Sequence, residues 1–154
     1  MRDDFEMAYV IMKYGTQKDM QGFYMHGLRV PEVIHQWEEG TPLPPPENYV
    51  AEVSVFKEHL HDRMAGLARN EWMMKTIWQF NKRSREFRDL ELENPDTAGG
   101  VIVRSRQLLT ALFDYDKHRV AKILDECLQV KNKYIYEIMS KILSKTPEKH
   151  PEEV

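Results

Sequence analysis

Apolar residues recur every three or four positions along most of this chain, the spacing of one face of an α-helix. Phe5, Ala8, Tyr9 and Met12 predict a first helix, capped by Asp3 or Asp4, running to about Tyr14 and ended by Gly15. Thr16 is placed to cap a second helix, with Asp19 at the acidic third position of a capping-box variant. Met20, Phe23 and Tyr24 form its apolar face, and Gly27 closes it. Pro31 suits the first turn of a third helix, where a missing N–H costs nothing. Val30, Val33, Ile34 and Trp37 then face inward, and Gly40 stands as its C′ residue. The run Thr41-Pro42-Leu43-Pro44-Pro45-Pro46 excludes helix and reads as a boundary or as a strap laid over the core.

A longer helical pattern starts at Glu47. Tyr49, Val53, Phe56, Leu60, Met64 and Leu67 step along one face, and Met73, Ile77 and Phe80 resume it after a possible break at Gly66. Asn94-Pro95-Asp96-Thr97-Ala98-Gly99-Gly100 reads as a turn. Beyond it, Leu108, Leu109, Leu112 and Phe113 mark another helix. Val120, Ile123, Leu124, Cys127, Leu128, Ile135, Ile138, Met139 and Ile142 mark one or two more, with Asp116 as a cap. No alternating β pattern and no internal repeat is present. The expected architecture is all-α: a trihelical unit over 1–40, a proline-rich connector over 41–46, a helical hairpin or bundle over 47–145, and a polar tail over 146–154.

Composition places the chain among soluble globular proteins: 154 residues, 42% hydrophobic and 31% charged, with a net charge of -3. No apolar run reaches the ~18 residues of a membrane span, and acidic Asp3, Asp4 and Glu6 argue against a signal peptide. A single cysteine, Cys127, excludes an intrachain disulfide and fits a reducing, cytoplasmic setting. The charge is unevenly spread. Residues 1–40 hold four Lys/Arg against seven Asp/Glu, whereas residues 57–88 hold eight against four, densest at Lys82-Arg83-Ser84-Arg85-Glu86-Phe87-Arg88.

In chain order, Thr16-Gln17, Gly27, Trp37-Glu38-Glu39-Gly40 and Pro42 resemble the helix-turn-helix of the phage-repressor (XRE) family. The resemblance covers residues 14–46. It implies that Gln17 contacts phosphate or base, and that Arg29, Glu32, His35 and Gln36 lie on the exposed face of a recognition helix. Gln36 could then read adenine, and Arg29 guanine or phosphate. Lys13 and Lys18 are near enough to add positive charge. The basic helix extends the same idea: Arg83, Arg85 and Arg88 lie among Trp78, Phe80 and Phe87, a mixture suited to a nucleic-acid backbone and unstacked bases. An ordinary packing unit and a solvated helix face account for the same two segments without DNA.

A second set of residues is similar to the helical domain of GINS replication subunits. These are Leu43-Pro44 with Tyr49, Arg106-Gln107-Leu108-Leu109 and Arg119-Val120-Ala121-Lys122-Ile123-Leu124, spanning 41–128. That resemblance implies an assembly role. Two Glu-x-x-His half-motifs, Glu32/His35 and Glu58/His61, match half of a di-iron bundle site, with Glu126 and Glu137 the nearest lone carboxylates. They read more simply as exposed polar residues opposite the apolar stripes. Asp114 to Arg119 reads as a cap and turn, and Cys127 as a small core side chain.

The sequence therefore predicts a non-enzymatic protein with no cofactor, no metal and no membrane segment. One expectation is a DNA-associated protein, either a repressor-like transcription regulator or a phage-type packaging accessory, contacting DNA through Gln17, Lys18, Arg29, His35, Gln36, Arg83, Arg85 and Arg88. The other is a helical structural or adaptor subunit, homo-oligomeric or bound to a helical partner through residues 101–143.

Overall fold

The structure, a computed structural model, describes residues 2–145. Among the described residues there are seven α-helices: α1 (Arg2–Lys18), α2 (Glu32–Gln36), α3 (Val50–Gly66), α4 (Glu71–Arg83), α5 (Arg85–Glu93), α6 (Pro95–Phe113) and α7 (Lys117–Lys145). Short 3-10 turns occupy Met20–Gly22 and Pro46–Asn48. The all-α class expected from the periodicity is the one observed. No described helix is long and apolar enough to cross a membrane.

The N-terminal segment is built differently from the expected three helices. Gly15 does not end α1 but sits inside it, because the helix needs a residue without a side chain there. A Cβ on Gly15 would stand 2.2 Å from the Met64 carbonyl oxygen of α3. Thr16 is no cap. It is fully buried in α1, and its hydroxyl donates to the carbonyls of Met12 and Lys13, both at 3.1 Å. Only the 3-10 turn forms where the second helix was expected, and residues 23–31 are irregular. α2 is a five-residue helix held against α6. Arg106 donates to the Ile34 carbonyl at 2.6 Å and to that of Trp37, so it satisfies the free carbonyls at the end of α2.

α1 packs on α3, α4 and α7, and its apolar side chains join those of α3 to α7 in one core cluster. Residues 41–46 run alongside this core. Leu43 packs on the core, and the Tyr49 hydroxyl donates to the Leu92 carbonyl at 2.6 Å. The long pattern after Glu47 is cut twice. α3 ends at Gly66 and the chain reverses through Arg69 at φ 52°, with Asn70 capping α4 through the Met73 N–H. Ser84 separates α4 from α5.

The Asn94–Gly100 turn is confined to its first residue. Asn94 accepts from the Asp96 N–H, Pro95 occupies the first turn of α6, and the helix runs on through both glycines. There the Trp37 indole lies so close that a Cβ on Gly99 would meet it at 2.7 Å. Asp116 does cap α7, accepting from the Arg119 N–H at 3.1 Å. α7 runs antiparallel to α1: Gln17 bonds the Lys117 carbonyl, Lys13 pairs with Asp125, and Phe87 stacks between Phe5 and Tyr134. The tail expected over 146–154, and the burial of Ile142, lie outside what the structure describes.

Candidate functional site

α3 carries Ser54, Lys57, Glu58 and His61 at helical spacing, on the side that packs against α4 and α5. Arg88 of α5 meets this face. It is 3% exposed, and every guanidinium nitrogen has a partner. Nε donates to Ser54 Oγ at 2.9 Å, Nη1 to Ser84 Oγ at 3.0 Å, and Nη2 to Glu58 and to the Asn81 carbonyl. Glu58 also receives both arms of Arg85, at 2.8 and 2.9 Å. Its fork binding holds the Arg85 guanidinium above its ordinary pKa. Burial shifts Arg88 the other way, against the pull of Glu58.

Asn81 ties this layer to His61. Its amide nitrogen donates to Asp62 at 2.9 Å and to the Glu58 carbonyl at 3.2 Å, which leaves its oxygen as the acceptor for His61 Nδ1 at 2.9 Å. His61 therefore carries a proton on Nδ1. Burial, then the positive charges of Lys57 and Arg88, hold it well below the usual histidine range. Burial raises Asp62 to about 6, helped by Glu58 and opposed by His59.

A second layer lies deeper. Glu91 of α5 is 0% exposed and pairs with Lys131 of α7. Burial pushes its carboxyl up, but Lys131 and Lys57 outweigh it and hold the pKa below the ordinary value. Its second oxygen, Oε2, has no partner. Lys57 is 8% exposed and makes no hydrogen bond or ion pair with a described residue. Burial, then the charge on Lys131, lower its pKa to about 7. Burial likewise raises the Tyr9 phenol well above 10.0. Tyr9, Lys57 and Lys131 border a small cavity of about 20 Å³ between α1, α3, α6 and α7, and Glu91 lies beyond its lining.

The residues expected to touch DNA are dispersed. Arg88 is inside the protein, which removes it from any surface contact. Arg85 is locked to Glu58, and Arg83 lies 3.5 Å from Asp4. Lys18 donates to the Ala68 carbonyl, Gln17 to the Lys117 carbonyl, and Lys13 is paired with Asp125. Arg29, His35 and Gln36 are exposed, Arg29 in the loop before α2 and the others on it. Within the basic run of 82–88, Arg83, Arg85 and Arg88 thus each have an acidic neighbour, while Lys82 is exposed.

The Glu-x-x-His pairs also separate. Glu32 and His35 are exposed on α2, as the sequence suggested. Glu58 and His61 are not the exposed residues expected: the carboxylate is held by two arginines and the imidazole by Asn81. Among the described residues, no group of three or more His, Cys, Asp or Glu is arranged to hold a metal ion.

Outside the bundle, an apolar strip is exposed on α7. Tyr136 (74% exposed), Met139 and Leu143 follow one another at i, i+3 and i+7. Helical spacing puts them on the line of Asp125, which pairs with Lys13 of α1, and the strip continues along α7 away from that pair. α1 exposes Met7, Val10 and Tyr14 at the same spacing.

Comparison with family models, curated proteins and solved structures gives no match to this chain.

Sequence reasoning missed the buried charges. Their signal was present in α3, where Ser54, Lys57 and His61 repeat at i, i+3 and i+7 beside the Val53/Phe56/Leu60/Met64 stripe. A helix with two such stripes side by side is buried on more than one face. Glu91 and Lys131 carry no such local mark, since each becomes buried only through the other.

Proposed function

We infer that this protein is a non-enzymatic helical assembly subunit that pairs with a second copy of itself through the distal half of α7. The observation that carries this reading is the Tyr136/Met139/Leu143 strip. At 1.5 Å per residue, the 29 residues of α7 span about 43 Å and the 19 of α6 about 28 Å, so α7 outruns its hairpin partner. Apolar residues at i, i+3 and i+7 form a helix-pairing seam, and exposed Lys133 and Glu137 border it with both signs of charge. One helix carrying its own seam needs only a two-fold axis to bury it.

Sedimentation velocity over a hundred-fold concentration range tests this reading. A reversible dimer is expected, and Tyr136→Asp with Met139→Asp should make it monomeric without altering its helical circular dichroism. A wild-type monomer at all concentrations would remove the self-pairing reading.

A DNA-associated role is the second reading, favoured by exposed Arg29, His35 and Gln36 on one short segment. It predicts salt-sensitive anisotropy with duplex DNA that weakens in Arg29→Ala. No binding at low salt rules it out.

A further inference from the structure

We propose that the cavity between α1, α3, α6 and α7 is a binding site for one small monatomic anion, of which chloride is the natural occupant, held by Lys57 and Arg104. Arg104 of α6 lines the cavity half-buried, and no hydrogen bond or ion pair engages its guanidinium among the described residues. Lys57 lines the same cavity more than nine-tenths buried and equally without a partner. The Tyr9 phenol and the Ser105 hydroxyl stand on the wall as neutral groups able to donate, although the Ser105 hydroxyl also bonds the Val101 carbonyl at 2.7 Å.

The charge around the cavity does not balance. Lys131 also lines it but is matched by Glu91, and Arg88 nearby is matched by Glu58. His61 is neutral, which leaves Lys57 and Arg104 as the cationic lining residues without a paired carboxylate among the described residues. An unpaired charge taken out of water is costly unless it loses its proton or gains a counter-charge. Arginine cannot lose its proton in the working pH range. Arg104 is half-buried and keeps contact with water, so the counter-ion chiefly answers Lys57, whose lowered pKa is the state of the site without one.

Size limits the ligand. A cavity of about 20 Å³ admits a body on the scale of one water molecule. A halide approaches this; phosphate, sulfate and organic acids exceed it. The remaining lining is mostly apolar, from Met12, Leu60, Met64 and Leu124 among others, and holds no carboxylate that would favour a cation. Glu91 lies beyond the lining, already paired to Lys131.

The test compares sodium chloride with sodium gluconate at equal ionic strength, because gluconate is too large to enter. At pH 6, chloride should raise the thermal midpoint by about 3 °C at ten times its dissociation constant. At pH 9 the gain should fall, since anion binding then requires Lys57 to take up a proton. The 35Cl resonance should broaden in the presence of protein at pH 6, and competing bromide should narrow it. Lys57→Met should abolish both the shift and the broadening. Equal midpoints in the two salts and an unbroadened 35Cl line overturn the site. So does a chloride response that survives in a folded Lys57→Met protein, which would mean surface binding. If that variant fails to fold, bromide competition on the wild type decides alone: a line unchanged by bromide overturns the site.

Discussion

The interior of this protein and the far end of α7 invert the usual arrangement in opposite ways. Between α3, α5 and α7, charged and polar side chains are buried: Lys57, Arg88, Glu91 and Lys131 are each less than a tenth exposed. On the distal face of α7, aromatic and aliphatic side chains face water instead. The two inversions differ in how far each is resolved within one chain. The interior charges nearly satisfy one another, with Lys57 the exception. The exterior strip is covered by none of the described residues. Buried polar networks restrict a core to one arrangement, whereas an uncovered apolar strip calls for a second surface.

Breaking the interior should have the largest effect. Glu91→Gln leaves Lys131 and Lys57 buried without their carboxylate, and should cost about 3–5 kcal/mol in urea denaturation at pH 7. A loss under 1 kcal/mol would mean that water reaches the cluster and that the burial described here is not maintained.

Lys57→Met should do the reverse. Native Lys57 has a pKa of about 7 against an ordinary 10.5, so between these values the unfolded chain binds more protons than the native one. Stability contributed at this site therefore rises with pH across that window, and the penalty is full below pH 7. Methionine removes a penalty of up to about 4 kcal/mol near neutral pH in a chloride-free buffer. The advantage should shrink as the pH approaches 10. A pH-independent difference between the two proteins would show that Lys57 is not the titrating group.

Gly15→Ala probes the contact that excluded the expected helix boundary. Its Cβ would collide with the Met64 backbone, which cannot swing away as a side chain can. A loss of roughly 2–3 kcal/mol is expected. An unchanged urea midpoint would mean that α1 and α3 do not approach so closely.

The exterior changes should hardly affect the fold. Tyr136→Asp and Met139→Asp replace exposed side chains and should each alter monomer stability by less than about 0.5 kcal/mol, while shifting the association equilibrium. A large stability loss in dilute monomer would place these residues in the fold instead of at an interface.

Local pattern was enough to read the helical class, the cap at Asp116 and most of the core. Phe5, Ala8, Tyr9, Met12, Val53, Phe56, Leu60 and Met64 are buried as their spacing implied. These are properties of neighbours three and four residues apart, and such residues meet on a helix whatever else the chain does. The exact ends of α1 were beyond that reach. Glycine and threonine stop helices in isolation, but Gly15 is held in one by the backbone of α3, fifty residues away. The expected helix over 16–27 failed for the same reason: α1 took its first residues to reach α3 and α7.

Charge shows the division most plainly. The sequence by itself determined that residues 82–88 are basic and that 1–40 are acidic. Only the tertiary structure decided that Arg88 points inward, that Arg85 and Arg88 share Glu58, and that Glu91 is matched by Lys131 from a helix forty residues later. Electrostatic energy depends on distance and on exclusion of water, and neither is set until the helices pack.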